Sequence, residues 1–202
     1  SLVAHDCYLS KEKNRIFRLL FPFVNRGTAW DCIMAASKGE TAWPFHENYS
    51  IKLFLDACYG TQALHSSNWA HRDIKPMNIL IGRNGRGILM DLGSAAPLVR
   101  EVSNRQDAAS LEDEASVVCS APYRPPELIH INPGMVLDGR VDVWALACTL
   151  FSFGFGRSPF ESPREGVLKL GIINGRFDFP RANRNALGCS YSQSFCDSIK
   201  WM

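Results

Sequence analysis

The segment His71-Arg72-Asp73-Ile74-Lys75-Pro76-Met77-Asn78 is followed, 13 residues beyond its asparagine, by Asp91-Leu92-Gly93. Between them lie two short apolar runs, Ile79-Leu80-Ile81 and Ile88-Leu89-Met90, around the turn Gly82-Arg83-Asn84-Gly85-Arg86-Gly87. That arrangement predicts two small strands folded back on each other, which brings Asn78 and Asp91 to one place. A single Asp or Lys in a polar loop is ordinarily a solvated surface group. Here two carboxylates, an amide and an ammonium recur within one short span, and the set requires a common explanation.

Working upstream, Glu47 to about Ser66 carries apolar residues at Ile51, Phe54, Leu55, Cys58, Tyr59 and Leu64. This helical spacing predicts a long helix with that stripe on the core. Thr28 with Asp31 three residues on forms a capping box, so a short helix is expected over 29–38, ended by Gly39. Before it, Tyr8-Leu9 and Ile16 to Phe21 read as strands joined by a turn over 10–15, and Pro22 stops the pairing. Downstream, 91–127 reads as a long polar loop, with a short helix opened by Ser110 and Asp113 and running to about Val118. From Val141 to Phe153 the chain is apolar almost all round, which predicts a helix buried on every side. Two more helices are expected near 164–174 and 191–202.

The motif set resembles the catalytic loop and metal-binding segment of eukaryotic protein kinases. Five fixed residue types in eight positions arise by chance on the order of once in ten thousand chains of this length. The resemblance implies an α+β fold of the protein kinase type, with residues 1–24 as the last N-lobe strands and hinge and residues 25–202 as a mainly helical C-lobe truncated at its C-terminal end. Phosphoryl transfer needs a carboxylate beside the attacking hydroxyl and oxygen ligands for Mg²⁺ on ATP. Asp73 would orient the hydroxyl, Lys75 would face the γ-phosphate, and Asn78 and Asp91 would hold the metal. His71, Arg72 and Gly93 are supporting residues; in the family the Arg often pairs with an activation-loop phosphate.

Further motifs follow in the order that the same resemblance requires. Ser120-Ala121-Pro122-Tyr123-Arg124-Pro125-Pro126-Glu127 is similar to the end of a kinase activation segment, with Pro125 where Ala is usual. Asp142-Val143-Trp144 resembles the start of the central C-lobe helix, where the family's Asp holds the catalytic-loop backbone. Ser120 and Lys75 together point to a Ser/Thr acceptor. Phe21-Pro22-Phe23-Val24 resembles the hinge, with Phe21 as gatekeeper, the backbone of Phe23 and Val24 toward adenine, and Leu80 as the apolar floor.

A closer resemblance is to the Numb-associated kinase family and its myristoylated and palmitoylated branch, on Pro22-Phe23 with Arg26-Gly27-Thr28, on 70–78, on 89–94 and on Leu111-Glu112-Asp113 ahead of Cys119. It implies an extra helix late in the activation segment. It also implies cytoplasmic placement, with peripheral association at Golgi or endomembranes through an acylated N-terminus. Glu114 stands where that pattern has an aromatic residue.

Composition narrows the remaining options. At 202 residues the chain is sized for one domain or slightly more. Lys+Arg 22 against Asp+Glu 20 leaves +2, with no basic stripe for nucleic acid. No apolar run approaches the roughly 20 residues of a membrane span. The 7 cysteines include no Cys-x-x-Cys pair, and an odd count suits reduced thiols. The Gly-rich loop and the Lys-bearing strand of the family are not found ahead of Phe21, so the chain alone is expected to have little or no activity. An active Ser/Thr kinase is the favoured reading, and a pseudokinase-type scaffold binding partners through the C-lobe is the alternative.

Overall fold

The computed structural model describes residues 6–9 and 17–202, with side chains from Leu20 onward. Strands β1 (Asp6–Leu9) and β2 (Phe17–Leu20) pair antiparallel, with Asp6 opposite Leu20 and Leu9 opposite Phe17. The expected turn over 10–15 lies outside the described residues. Pro22 follows, and the chain enters α1 (Ala29–Ser37) through the predicted cap. Thr28 Oγ1 accepts from the Asp31 N–H at 3.1 Å, and the Asp31 carboxylate accepts from the Thr28 N–H at 2.8 Å. Two of the four orphan N–H groups of this helix start are thereby satisfied.

Helix α2 (Glu47–Ser66) has the expected limits, and the expected stripe meets the core in part, through half-buried Phe54 and Cys58. Ile51, Leu55 and Tyr59 are 37, 47 and 63% exposed, whereas Ser50, Leu53, Asp56, Ala57 and Thr61 are buried. The polar members of the buried face are tolerable because each has a partner. Ser50 Oγ donates to Phe45 O at 3.1 Å, Thr61 Oγ1 to Ala57 O at 3.0 Å, and Asp56 accepts from Arg86 Nε at 2.8 Å and Gly87 N at 2.9 Å.

After α2 come β3 (Trp69–Ala70), β4 (Ile79–Ile81), β5 (Gly87–Leu89), β6 (Ala96–Pro97) and β7 (Arg100–Glu101). β4 pairs with β5 and β3 with β6, both antiparallel. Helix α3 spans Arg105–Val118, so it begins well before the expected Ser110. Its cap is Asn104, whose side chain accepts from the Asp107 N–H at 2.9 Å, and Ser110 lies inside the helix. β8 (Val136–Leu137) pairs with β7.

Helix α4 (Arg140–Phe155) is buried from Ala145 through Phe155 without interruption. It forms the centre of the fold, with α2 and α6 (Gln193–Trp201) packed against it. The region expected to be helical over 164–174 instead starts as a hairpin, β9 (Glu161–Ser162) and β10 (Gly166–Val167). Only Lys169–Asn174 forms helix α5. An aromatic cluster closes the base of the core: Phe151 lies 4.7 Å from Phe155, and Tyr191 lies 4.8 Å from Phe195 between ring centres. Tyr191 Oη donates to Phe45 O at 2.5 Å and accepts from Trp43 Nε1 at 2.9 Å, which satisfies the one polar tip in this layer.

Candidate active site

Two nested strand pairings fix the site. The loop 71–78 runs from β3 to β4, and the segment 90–95 runs from β5 to β6. Since β3 pairs with β6 and β4 with β5, the two segments are held side by side at both ends. The Met90 N–H donates to Asn78 O at 2.9 Å, which sets Asn78 next to the residue preceding Asp91. On the other side, buried His71 places its Nε2 3.0 Å from Met90 O. The imidazole thus bridges the two segments.

Asp73 is buried, and its carboxylate is held by three protein donors. Oδ1 accepts from the Ser120 N–H at 3.0 Å, and Oδ2 accepts from Lys75 Nζ at 2.6 Å and Asn78 Nδ2 at 3.1 Å. Lys75 Nζ also donates to Ser120 Oγ at 2.7 Å, so carboxylate, ammonium and hydroxyl form one compact cluster. Asn78 Nδ2 makes a second bond to Asp73 O at 2.8 Å. Two acceptors on that nitrogen fix the amide orientation, and among the described residues no donor reaches Asn78 Oδ1. Asp91 is exposed, and Oδ1 accepts the Gly93 N–H at 3.2 Å and no other donor among the described residues. The pair therefore offers two hard oxygens, a donor set that suits Mg²⁺ completed by phosphate and water. Asp91 and Arg72 both have φ of 67°, a left-handed backbone that non-glycine residues adopt rarely and that Asn68, Ala182 and Asn183 share outside the site.

Asp142, fully buried at the start of α4, holds the loop from below. Oδ2 accepts from the His71 N–H at 2.8 Å and lies 2.8 Å from His65 Nε2; Oδ1 accepts from the Arg72 N–H at 2.8 Å. His65, in the last turn of α2, was not singled out from sequence, because nothing local marks a bond spanning 77 residues. Arg72 Nη1 pairs with Glu114 Oε1 of α3 at 2.5 Å, a contact the sequence did not reveal either. Glu127 is half-buried, and burial pushes its carboxyl above the ordinary carboxylate range.

The hinge candidates lie at the edge of this assembly. Phe21 and Phe23 are 46 and 88% exposed, and Val24 is half-buried. Leu80 forms an antiparallel bridge with Thr28, and the Ile81 N–H donates to Gly27 O at 2.9 Å. These bonds bring Leu80 to the chain just beyond the hinge segment.

A helical domain whose central helix anchors a buried Asp-Lys-Asn loop beside an exposed Asp is a protein kinase domain. Residues 5–202 match the protein kinase domain family, and the chain belongs to that family. Human serine/threonine-protein kinase 16 is 40% identical over 144 residues, covering 71% of this chain and 46% of the human protein. The Rattus norvegicus protein of the same name is 39% identical over 143 residues, with 71 and 46% coverage. Serine/threonine-protein kinase ENV7 of Saccharomyces cerevisiae is 37% identical over 123 residues, covering 59% of this chain and 34% of that protein. The chain thus spans about half the length, or less, of these relatives. Among the described residues, no helix is long and apolar enough to cross a membrane.

Proposed function

We propose that the protein carrying this chain is a serine/threonine protein kinase that transfers the ATP γ-phosphate to a protein hydroxyl. The observation that carries this reading is the Asp73 carboxylate, held by Ser120, Lys75 and Asn78 with one of its four lone-pair directions left for a substrate hydroxyl. Asp73 orients the acceptor Ser or Thr and takes its proton. Lys75, anchored on Asp73 and Ser120, sets a positive charge where the γ-phosphate is transferred. Asn78 and Asp91 hold Mg²⁺, which when bound neutralises charge on the phosphates. Phe21, Phe23, Val24 and Leu80 form the apolar edge that receives adenine. His71, Gly93 and Asp142 keep the two loops in register, and Glu127 supports the end of the activation segment.

The same reading divides the chain into N-lobe strands and hinge over 1–24 and C-lobe over 25–202. It places the protein in the Numb-associated group, at the cytoplasmic face of Golgi or endomembranes through an acylated N-terminus. The 40% identity to serine/threonine-protein kinase 16 supports that grouping. The test is transfer from radiolabelled ATP by the full-length protein, with Asp73→Asn and Asp91→Ala alongside. Incorporation that both substitutions abolish is expected. Absence of incorporation by the unaltered protein with ATP and Mg²⁺ would sink the reading in favour of a scaffold.

A further inference from the structure

We infer that Glu114 is a positioning residue for the transfer loop: its carboxylate docks α3 onto Arg72 and thereby fixes the backbone that carries Asp73. The inference rests on the kinase reading above and adds to it the device that holds that site in order.

Arg72 immediately precedes Asp73, and its backbone is left-handed, with φ of 67°. Such a conformation persists only where the surroundings enforce it. One enforcing bond is known already, from the Arg72 N–H to Asp142. The other restraint acts on the side chain, which is only 8% exposed. Glu114 supplies its anionic partner, while Nη2 is buried with no hydrogen-bond partner among the described residues. The neighbouring Cys119 thiol cannot substitute as an anion, because burial pushes its pKa up. Removing the carboxylate leaves a buried guanidinium uncompensated, which is strongly destabilising, and the left-handed peptide before Asp73 loses a restraint.

Helix α3 is well placed to transmit this restraint. Ser94 Oγ, three residues beyond Asp91, donates to Val118 O at 2.8 Å. Arg124 Nη2 donates to Cys119 O at 2.7 Å and to Ser116 O at 3.2 Å. The C-terminal half of α3 is therefore bonded to the Asp91 segment, to the stretch following Ser120 and, through Glu114, to the catalytic loop. Of these three ties, only the last sets a charge against the residue next to Asp73. The tie is made by side chains of the chain itself and requires no covalent addition to form.

The experiment uses full-length protein bearing Glu114→Lys, Glu114→Gln or Glu114→Asp, with Asp107→Asn as a control. Asp107 bonds Ser103 and Arg100 at the opposite end of α3, so its loss loosens the helix without touching Arg72. Expected is a fall in kcat on the order of ten- to a hundredfold for Lys, a smaller fall for Gln, and recovery of most activity with Asp. KM for ATP stays within about twofold, as expected for a residue that binds neither nucleotide nor metal. Phosphatase treatment leaves the unaltered protein's rate unchanged. Hydrogen exchange at residues 71–75 quickens in Glu114→Gln and not in Asp107→Asn, a readout independent of turnover. Unaltered exchange and kcat in Glu114→Gln, or equal losses of kcat in Asp107→Asn, would overturn the inference. Failure of the kinase reading itself appears separately, as an Asp73→Asn rate equal to that of the unaltered protein.

Discussion

Asp73→Asn preserves the shape of a side chain that accepts from Lys75, Asn78 and the Ser120 N–H, but removes its charge and its capacity to take a proton. Phosphate transfer is expected to fall by roughly 10²- to 10⁴-fold, read from radiolabel incorporation at saturating ATP. Tyr191→Phe tests a different residue, one with no part in the chemistry. It strips the partner from buried Trp43 Nε1 and from Phe45 O, and should lower the unfolding free energy by about 1–3 kcal/mol in urea titration. Burial also pushes the Tyr191 hydroxyl up to about 12 from its ordinary 10.0, and the Cys58 thiol up to about 11 from 9.0. The unfolded chain releases both protons first, so the folded state binds more protons between pH 9 and 12 and stability falls across that window. Unfolding midpoints should therefore decline with rising pH there, with Tyr191→Phe showing the shallower slope. At this scale the cluster of Asp73, Lys75 and Asn78 could be read from the chain because their types and spacing are local. Glu114 and His65 could not, since each acts on a partner distant in sequence.

The caps show the same distinction between local and distant signals among the elements. Thr28 and Asp31 satisfy each other's backbone, and the start of α1 could be read from them directly. Thr28→Ala should destabilise the protein by about 1 kcal/mol, measured by thermal or urea unfolding. For α3, two acceptor-spacer-acid patterns compete, Asn104 with Asp107 and Ser110 with Asp113. The earlier one prevails because Asp107 also bonds Ser103 and Arg100 at that end. The core face of α2 is rotated from the expected stripe, keeping Phe54 and Cys58 but exposing Ile51, Leu55 and Tyr59, because apolar spacing alone does not register that Ser50 and Thr61 can bury hydroxyls on backbone carbonyls. Asp142 ties α4 to α2 and to the catalytic loop at once. Asp142→Ala would leave the His71 and Arg72 N–H groups buried without a partner, and a loss of at least about 3 kcal/mol is expected, with transfer falling in parallel.

Across the whole molecule, the two loops proposed to carry the chemistry are joined by bonds between protein atoms. The Met90 N–H bond to Asn78 O and the β3–β6 pairing are made by backbone alone. Chelation of divalent cations should therefore abolish transfer while leaving the unfolding midpoint and the far-ultraviolet circular dichroism unchanged. The α+β class followed from the kinase-like motifs, and the longer helices were legible because long apolar patterns report burial averaged over many residues. The short pairings β3–β6, β7–β8 and β9–β10 were not, since two-residue strands carry no periodicity. Helix α4, with eleven consecutive buried residues from Ala145 to Phe155, has a bearing on synthesis as well. It leaves the ribosome before α6, which covers part of it, has been translated. During that interval a sticky apolar surface is displayed to the cell, of the kind that holding chaperones bind, until α6 arrives to cover it.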